Sequence, residues 1–180
     1  MDYRLNSTKS YHVYELGTLG WELTVCNALY PPQTPIRKIL LHDDSYGHFL
    51  YDYLSRLVPM ADIRKVLEIG GGYGYLMKDF LDRNSSLRPC MLDISPFLLQ
   101  RQKETLEGHD IFYREEDFLE TDPAVLTGFD LAVLNENLGD FPTLVNLSEE
   151  FFEPPAQVID PNLKRALDLF ERYNFERPAQ

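Results

Sequence analysis

Apolar residues along the middle of the chain fall into two kinds of pattern. Four short apolar runs, each ending in polar residues, occupy positions 66–69, 89–93, 111–114 and 129–134. Between these runs apolar residues recur every three or four positions, which is the period of one face of an α-helix. The alternation predicts an α/β fold in which helices connect the strands of a mostly parallel sheet. The last run is typical of a strand that is buried on both faces.

Caps and breaks set the limits of the predicted helices. Helices are predicted from residue 76 after the first run, from 96 to 107, and from 161 to 173. Another helix precedes the first run, with a cap at residues 43–45 and an end at Pro59. The helix that follows the first run places Lys78, Asp79 and Asp82 on its polar face.

The turn after the first strand carries the strongest chemical signal. Glu68 precedes Gly70, Gly72 and Gly74, and a helix begins directly after them. Glycine has no Cβ, so such a turn allows positive φ and a close approach of a ligand. At the carboxyl end of the first strand of an open α/β sheet, bare backbone meets a nucleotide-like ligand. A dinucleotide-binding G-x-G-x-x-G motif does not fit, because Tyr75 stands where the third glycine is required.

The pattern E-x-G-x-G-x-G at residues 68–74 closely resembles motif I of the class I S-adenosylmethionine (SAM) methyltransferases. The resemblance implies a Rossmann-like, doubly wound sheet whose first four strands lie in the order 3-2-1-4. It also implies SAM as the cofactor. It assigns Glu68, Gly70, Gly72 and Gly74 to cofactor binding.

Two further acids extend the resemblance. Asp93 closes the second strand, where the family has the acid that accepts hydrogen bonds from the ribose hydroxyls. The alternative is that Asp93 caps the following helix, since Ser95 and Pro96 come next. After the third strand the family often has an acid that contacts the adenine amino group, followed by an aromatic or aliphatic residue. Asp117 and Phe118 match this pattern, with a solvated acidic turn as the alternative.

The end of the fourth strand resembles a particular branch of the family. Asn135 and Glu136, with a downstream acid and proline, look like the MidA-like methyltransferases, and so do the earlier Ser95-Pro96 with Gln100 and Gln102. That branch includes the mitochondrial complex I assembly enzymes, which modify protein arginine. The resemblance implies a catalytic role for Asn135 and Glu136. The alternative is that both side chains satisfy only backbone groups of the loop.

Together these features predict an enzyme that transfers a methyl group from SAM to a protein arginine or a small-molecule acceptor. The sulfonium is already an activated donor, so the protein chiefly aligns donor and acceptor. A carboxylate such as Glu136 can bind a guanidinium in a bidentate fork and help to remove its proton. The rival hypothesis is a non-catalytic SAM-binding or scaffold module that a partner chain completes.

Composition narrows the partners and the compartment. The chain of 180 residues carries a net charge of −12, which disfavours a nucleic-acid partner and suits a cationic acceptor. Cys26 and Cys90 are isolated, which predicts buried free thiols in a reducing compartment. No apolar run approaches the length of a membrane span, and the N-terminal residues are polar. We therefore expect a cytoplasmic protein without a membrane partner.

The run at residues 42–48 contains two histidines and two aspartates, which invites interpretation as a metal site. These residues straddle a predicted loop and the start of a helix, so we expect capping and packing roles and no metal. Helices that precede the motif often cover the cofactor or shape the acceptor pocket in this family. Tyr46 and His48 are therefore candidates to reach the site.

The resembled family has seven strands, and the sequence predicts only four. Beyond them lie a short apolar pair at residues 158–159 and the last helix. The fourth strand would then be an apolar sheet edge, which is prone to aggregation unless covered. We expect a fragment of a longer enzyme, with a helical N-terminal extension or lid over residues 1–60 and an incomplete SAM-binding domain over 61–180. The alternatives are a second copy or a partner chain that completes the sheet, and a reduced fold whose last helix covers the edge.

Overall fold

The computed structural model describes residues 4–6, 9–14, 24–30, 32, 34–39, 43–145 and 161–172. In chain order the strands and helices are β1 (Arg4–Asn6), α1 (Lys9–Tyr14), α2 (Val25–Leu29), α3 (Tyr46–Leu54), β2 (Lys65–Ile69), α4 (Tyr75–Arg83), β3 (Arg88–Asp93), α5 (Pro96–Thr105), β4 (Phe112–Glu115), α6 (Pro123–Leu126), β5 (Leu131–Leu134), β6 (Thr143–Val145) and α7 (Pro161–Arg172). Short 3-10 helices lie at Arg37–Ile39, Phe118–Glu120 and Leu138–Asp140. The chain divides into two compact units, one of Met1–Ser10 with Gly139–Gln180 and one of Tyr11–Leu138.

The larger unit contains a parallel sheet of four strands within the described residues. Their order is β4-β3-β2-β5. Because β2 to β5 are the first to fourth of the predicted strands, this is the predicted order 3-2-1-4, and the predicted fold class is confirmed. Glu68 of β2 lies opposite Met91 of β3 and Val133 of β5. Because the strands are parallel, their carboxyl ends meet at one edge of the sheet. The predicted site residues lie at these ends or just beyond them.

The core of this unit forms where α4 packs on the sheet. Met77 and Phe80 of α4 are completely buried, as are Val66 of β2 and Met91 of β3. The ring of Tyr51 on α3 packs edge-on against Phe80, with ring centroids 5.4 Å apart. The apolar face predicted for the helix after the first strand is therefore the face that builds the core.

The polar face predicted for α4 is wrong at one position. Asp79 is only 4% exposed, because α3 packs against this side of α4. The two helices approach closely at Gly47, where an added Cβ would lie 2.6 Å from the Asp79 carboxylate. The backbone N–H of Gly47 donates to Asp79 Oδ2 at 3.1 Å. The burial of this acid depends on a helix that is distant in sequence.

The expected burial of the fourth strand on both faces is also wrong. In β5 only Val133 is buried, whereas Ala132 is exposed and Leu134 is 37% exposed. The strand begins at Leu131 rather than Phe129, and within the described residues it pairs only with β2. An outermost strand has fewer neighbours to cover its faces, which accounts for the exposure.

The smaller unit contains two elements that the sequence did not predict. β1 and β6 pair antiparallel, with Leu5 opposite Leu144. α7 contacts β1 and agrees with the helix predicted from residue 161. The apolar pair at 158–159 lies outside the described residues. The proposed boundary near residue 60 stays a prediction.

None of the described helices is long and apolar enough to cross a membrane.

Candidate active site

The glycine turn after β2 adopts the backbone that the sequence predicted. Gly70, Gly72 and Gly74 have φ of +64°, +54° and +84°, which glycine adopts without steric cost. An added Cβ at Gly72 would meet nothing within 4 Å, so the peptide there faces open space. At Gly71 an added Cβ would lie 2.6 Å from Met91 Cε and 3.0 Å from Glu68 Cδ. The turn is thus backed by side chains from the sheet and bare on its outer side.

Glu68 lies beneath this turn and is 2% exposed. Burial, together with the nearby charge of Asp93, raises the pKa of Glu68 to about 8. Its Oε2 atom is buried and has no hydrogen-bond partner among the described residues. A buried carboxyl oxygen without a partner is costly, and it is a natural contact for a polar or cationic ligand.

Asp93 ends β3 and is 3% exposed. Its Oδ1 accepts from the backbone N–H of Ser95 at 2.9 Å, and its Oδ2 accepts from Gln102 Nε2 at 2.9 Å. Burial raises the pKa of Asp93 to about 6, although these hydrogen bonds oppose the rise. The backbone N–H of Ile94 donates to Asp93 as well. A carboxylate has about four acceptor positions, so about one remains for a ligand.

Ser95, not Asp93, is the N-cap of α5. The Ser95 hydroxyl accepts from the backbone N–H of Leu98 at 3.3 Å. The Asp93 carboxylate supports this cap because it accepts from the Ser95 N–H. The prediction that Asp93 binds ribose stays open.

Replacement of Ser95 by alanine is expected to lower the free energy of unfolding by about 1 kcal/mol, because the N-cap hydrogen bond is lost. The melting temperature should fall by about 2–4 °C, as measured by circular dichroism. Ser85→Ala, at an exposed position, is the control. Equal melting temperatures for the two variants would contradict a stabilising cap at Ser95.

Gln102 is a site residue that the sequence did not identify as one. It is completely buried, and its Nε2 donates both to Asp93 Oδ2 and to the carbonyl oxygen of Gly72, the latter at 3.1 Å. One amide thereby fixes the acid of β3 relative to the glycine turn. A signal was present, because Gln102 shares a helix face with Leu98, Leu99 and Leu106, and a polar residue there needs a buried partner.

Asp117 and Phe118 lie beyond β4, at the same edge of the sheet. Asp117 Oδ1 accepts from the backbone N–H of Leu119 at 3.0 Å and caps the 3-10 helix that follows. The backbone N–H of Glu116 donates to the Asp93 carbonyl at 3.0 Å, which brings this loop beside Asp93. Contact of Asp117 and Phe118 with adenine stays a prediction.

Asn135 and Glu136 follow β5 on the opposite side of β2. Asn135 Oδ1 accepts from the Tyr46 hydroxyl at 2.8 Å, and its amide donates to Cys26 Sγ at 3.7 Å. Glu136 is exposed, has a φ of +56°, and accepts from the Val25 N–H at 3.2 Å. Positive φ in a non-glycine residue costs energy and tends to occur at functional sites. Helices α2 and α3 therefore supply contacts to the predicted catalytic loop.

Asn137 ties this loop to the glycine turn. It is 8% exposed, and its amide donates to the Ile69 carbonyl directly before Gly70. Of the two candidates from α3, Tyr46 reaches the loop through Asn135. His48 instead faces Asp79 and Asp82 of α4.

The two cysteines are free thiols. Cys90 is buried in β3, and Cys26 is partly buried beside Asn135. Burial raises the pKa of Cys26 to about 12 and that of Cys90 to about 11. Both thiols are thus protonated at neutral pH and poor nucleophiles.

The residues at this edge fit SAM. The bare backbone at Gly72 leaves room for a ligand, and the two acids beneath the turn provide acceptors for hydroxyl and ammonium groups. The partnerless Oε2 of Glu68 lies in the same place. Glu68, the glycines and Asp93 are therefore the residues that would hold the cofactor.

Residues 49–153, more than half of the chain, match the family model described as "Putative S-adenosyl-L-methionine-dependent methyltransferase". No curated protein matches the chain.

Several solved structures are similar to part of the chain. An O-methyltransferase family protein from Burkholderia thailandensis is 25% identical, over 49% of this chain and 28% of its own, with a TM-score of 0.39. The mitomycin 7-O-methyltransferase MmcR is 25% identical, over 51% of this chain and 28% of its own, with a TM-score of 0.36. The 23S rRNA methyltransferase ErmE is 32% identical, over 40% of this chain and 30% of its own, with a TM-score of 0.31. The chain spans less than a third of the length of each.

Proposed function

Because this chain belongs to the S-adenosyl-L-methionine-dependent methyltransferase family, we propose that it transfers a methyl group from SAM to a cationic acceptor, a protein arginine. A small-molecule acceptor is the alternative within the same reaction. The observation that carries the proposal is the connection of the glycine turn to Asp93 through Gln102 at the carboxyl edge of the sheet. This connection joins the two groups that hold a nucleoside in such folds.

The residues divide into a cofactor half and an acceptor half. Asp93 would accept hydrogen bonds from the ribose hydroxyls. Glu68 would contact the cofactor from beneath the turn, with a carboxyl group that burial keeps protonated below about pH 8 in the absence of ligand. Asp117 and Phe118 would border the adenine. When bound, SAM supplies a methyl group on a sulfonium, so transfer requires alignment more than activation.

The acceptor half is the loop after β5. The Glu136 carboxylate is exposed, so it can pair with a guanidinium from solvent and take up the proton that the nitrogen loses. The Tyr46 hydroxyl donates to Asn135 Oδ1 and fixes this side chain. The remaining hydrogen-bonding positions of the Asn135 amide can orient the molecule that receives the methyl group. The net charge of −12 attracts a cationic acceptor such as an arginine peptide.

A second candidate function is a non-catalytic SAM-binding or scaffold module. The exposure of Ala132 and Leu134 on β5 supports it, because among the described residues this strand pairs only with β2. A second copy or a partner chain that paired along the other side would help to bury these residues. Such a module would bind SAM, associate through β5 and release no methylated product.

Replacement of Glu136 by glutamine is expected to lower kcat/KM for an arginine peptide roughly tenfold, because one charge-assisted hydrogen bond worth about 1.5 kcal/mol is lost. The assay follows labelled methyl transfer from SAM to an arginine peptide, its lysine counterpart and a phenol. Calorimetry with SAM and with NAD reports cofactor binding, and the Kd for SAM should not change in the variant.

Glu107→Gln, at an exposed position just after the end of α5, is the control for charge alone. An unchanged kcat/KM in the Glu136 variant would show that Glu136 does not bind the methyl acceptor. Methylation of the phenol alone would show that the enzyme acts on a small molecule and not on arginine. SAM binding with no methylation of any acceptor would favour the second candidate function.

A further inference from the structure

A second cluster of polar side chains lies between α3 and α4. His48 Nε2 is 3.7 Å from Asp79 Oδ1 and 3.6 Å from Asp82 Oδ2. These three atoms lie within 4.8 Å of one another. Nitrogen and oxygen ligands bind a divalent ion such as Zn²⁺ at about 2.0–2.2 Å, which in tetrahedral geometry separates ligand atoms by about 3.4 Å. The two measured distances are therefore close to those of a ligand set.

Each of the three side chains is oriented by a second partner at its other polar atom. His48 Nδ1 contacts Asp44 Oδ1 at 2.6 Å, Gly47 N–H donates to Asp79 Oδ2, and Lys78 Nζ lies 3.5 Å from Asp82 Oδ1. A carboxylate on one nitrogen of an imidazole directs the other nitrogen toward a metal, and such outer partners fix ligands in metal sites. All three inner atoms thus point into the same space.

One buried atom of this cluster, His48 Nε2, has no hydrogen-bond partner among the described residues. The hydroxyl of Ser45 is buried beside Asp79, and its hydrogen bond to that carboxylate opposes the rise in the pKa of Asp79 that burial causes. Buried polar atoms are rarely left without a partner, so His48 Nε2 points to a ligand at this position.

The charges around the cluster are also unbalanced. Asp44, Asp52, Asp79 and Asp82 carry four negative charges, whereas Lys78 and Arg83, which contact them, carry two positive charges. With a neutral imidazole, two negative charges remain, which one divalent cation would neutralise. The side chain of Asp82 is 43% exposed, so an ion can enter from solvent.

We propose that His48, Asp79 and Asp82 bind a divalent metal ion of the Zn²⁺ or Mn²⁺ class, with water completing the coordination. One imidazole and two carboxylates suit these ions better than Ca²⁺, which prefers oxygen ligands only. The ion joins α3, which supplies Tyr46 to the acceptor loop, to α4, which begins at the glycine turn. Its role is structural, and the proposal does not depend on the proposed methyl transfer.

The test is titration of the full chain, freed of metal by a chelator, with Zn²⁺ and with Mn²⁺ by calorimetry. We expect one site, and a rise in melting temperature of roughly 5–10 °C at a hundredfold excess of ion over Kd. Asp82→Asn and His48→Gln should each weaken binding at least tenfold, because a ligand is lost. Asp44→Asn should weaken it by about tenfold through the orientation of His48.

Asp110→Asn, at an exposed position away from the cluster, is the matched control and should bind as the unchanged chain does. Circular dichroism of each metal-free variant verifies folding, and Asp82 is exposed enough that its replacement should leave the fold intact. Absence of binding to the folded chain would overturn the proposal. Binding that the His48 and Asp82 variants retain would overturn it as well, since the ion would then sit elsewhere.

Discussion

Replacement of Asp93 by asparagine is expected to weaken SAM binding roughly 100-fold. Hydrogen bonds to a charged group contribute about 1.5–3 kcal/mol each, and two ribose hydroxyls would lose the charge of their acceptor. A combined loss of about 3 kcal/mol corresponds to that factor in Kd. Calorimetric titration of the unchanged chain and the variant with SAM measures it directly.

Asparagine is chosen because it keeps the shape of the site. Its side-chain oxygen can still accept from the Ser95 N–H. Its NH2 group would face Gln102 Nε2, and rotation of the Gln102 amide to accept from it would give up the hydrogen bond to the Gly72 carbonyl. Circular dichroism of the variant therefore verifies that it folds before SAM binding is compared. A folded variant that binds SAM as tightly as the unchanged chain would show that Asp93 does not hold the ribose. Asp110→Asn again serves as the control for charge.

Between pH 6 and pH 8 the unchanged chain is expected to become less stable as the pH rises. Replacement of Glu68 by glutamine is expected to abolish most of this pH dependence. The pKa of Glu68 is about 8 in the folded chain, against 4.5 for an ordinary glutamate, so the folded chain holds an extra proton between these values. Stability then falls as pH rises through this window, by up to about 1.4 kcal/mol per pH unit. The raised pKa of Asp93, about 6, acts in the same direction but at lower pH.

The unchanged chain should therefore lose roughly 3 kcal/mol between pH 6 and pH 8, while the glutamine variant stays nearly level. Urea unfolding followed by circular dichroism at pH 6, 7 and 8 in the absence of SAM gives both curves. The difference between them reports Glu68 together with its electrostatic coupling to Asp93, because the more distant titrating groups are common to both chains. Glu107→Gln is the control. Parallel curves would mean that Glu68 is ionised in the folded chain.

The fold was accessible from local sequence patterns. The four parallel strands, the helices between them and their order follow from apolar runs, helical periodicity and the resemblance at residues 68–74. The positive φ of the glycine turn and the position of Asp93 at the end of β3 were equally accessible. Apart from the strand order, which the resemblance implied, the responsible residues lie within a few positions of one another.

The same patterns failed where burial depends on a distant element. Helical periodicity predicts that Asp79 lies on the exposed face of an amphipathic helix, yet α3 buries it. The apolar run at residues 129–134 predicts a strand that is buried on both faces, yet Ala132 and Leu134 of β5 are exposed. Periodicity shows which residues share a face but not what covers that face.

The sequence by itself determined the strands, the glycine turn and the acid that ends the second strand, because short runs of neighbouring residues encode strands, turns and caps. The order of the strands came from the family resemblance of residues 68–74. Tertiary structure alone decided the partners of Gln102 and Asn137 and the raised pKa of Glu68. It also brought His48 to the acids of α4. Burial and hydrogen bonding join residues 30 or more positions apart, as Gln102 and Gly72 show, and no local pattern records such a distance.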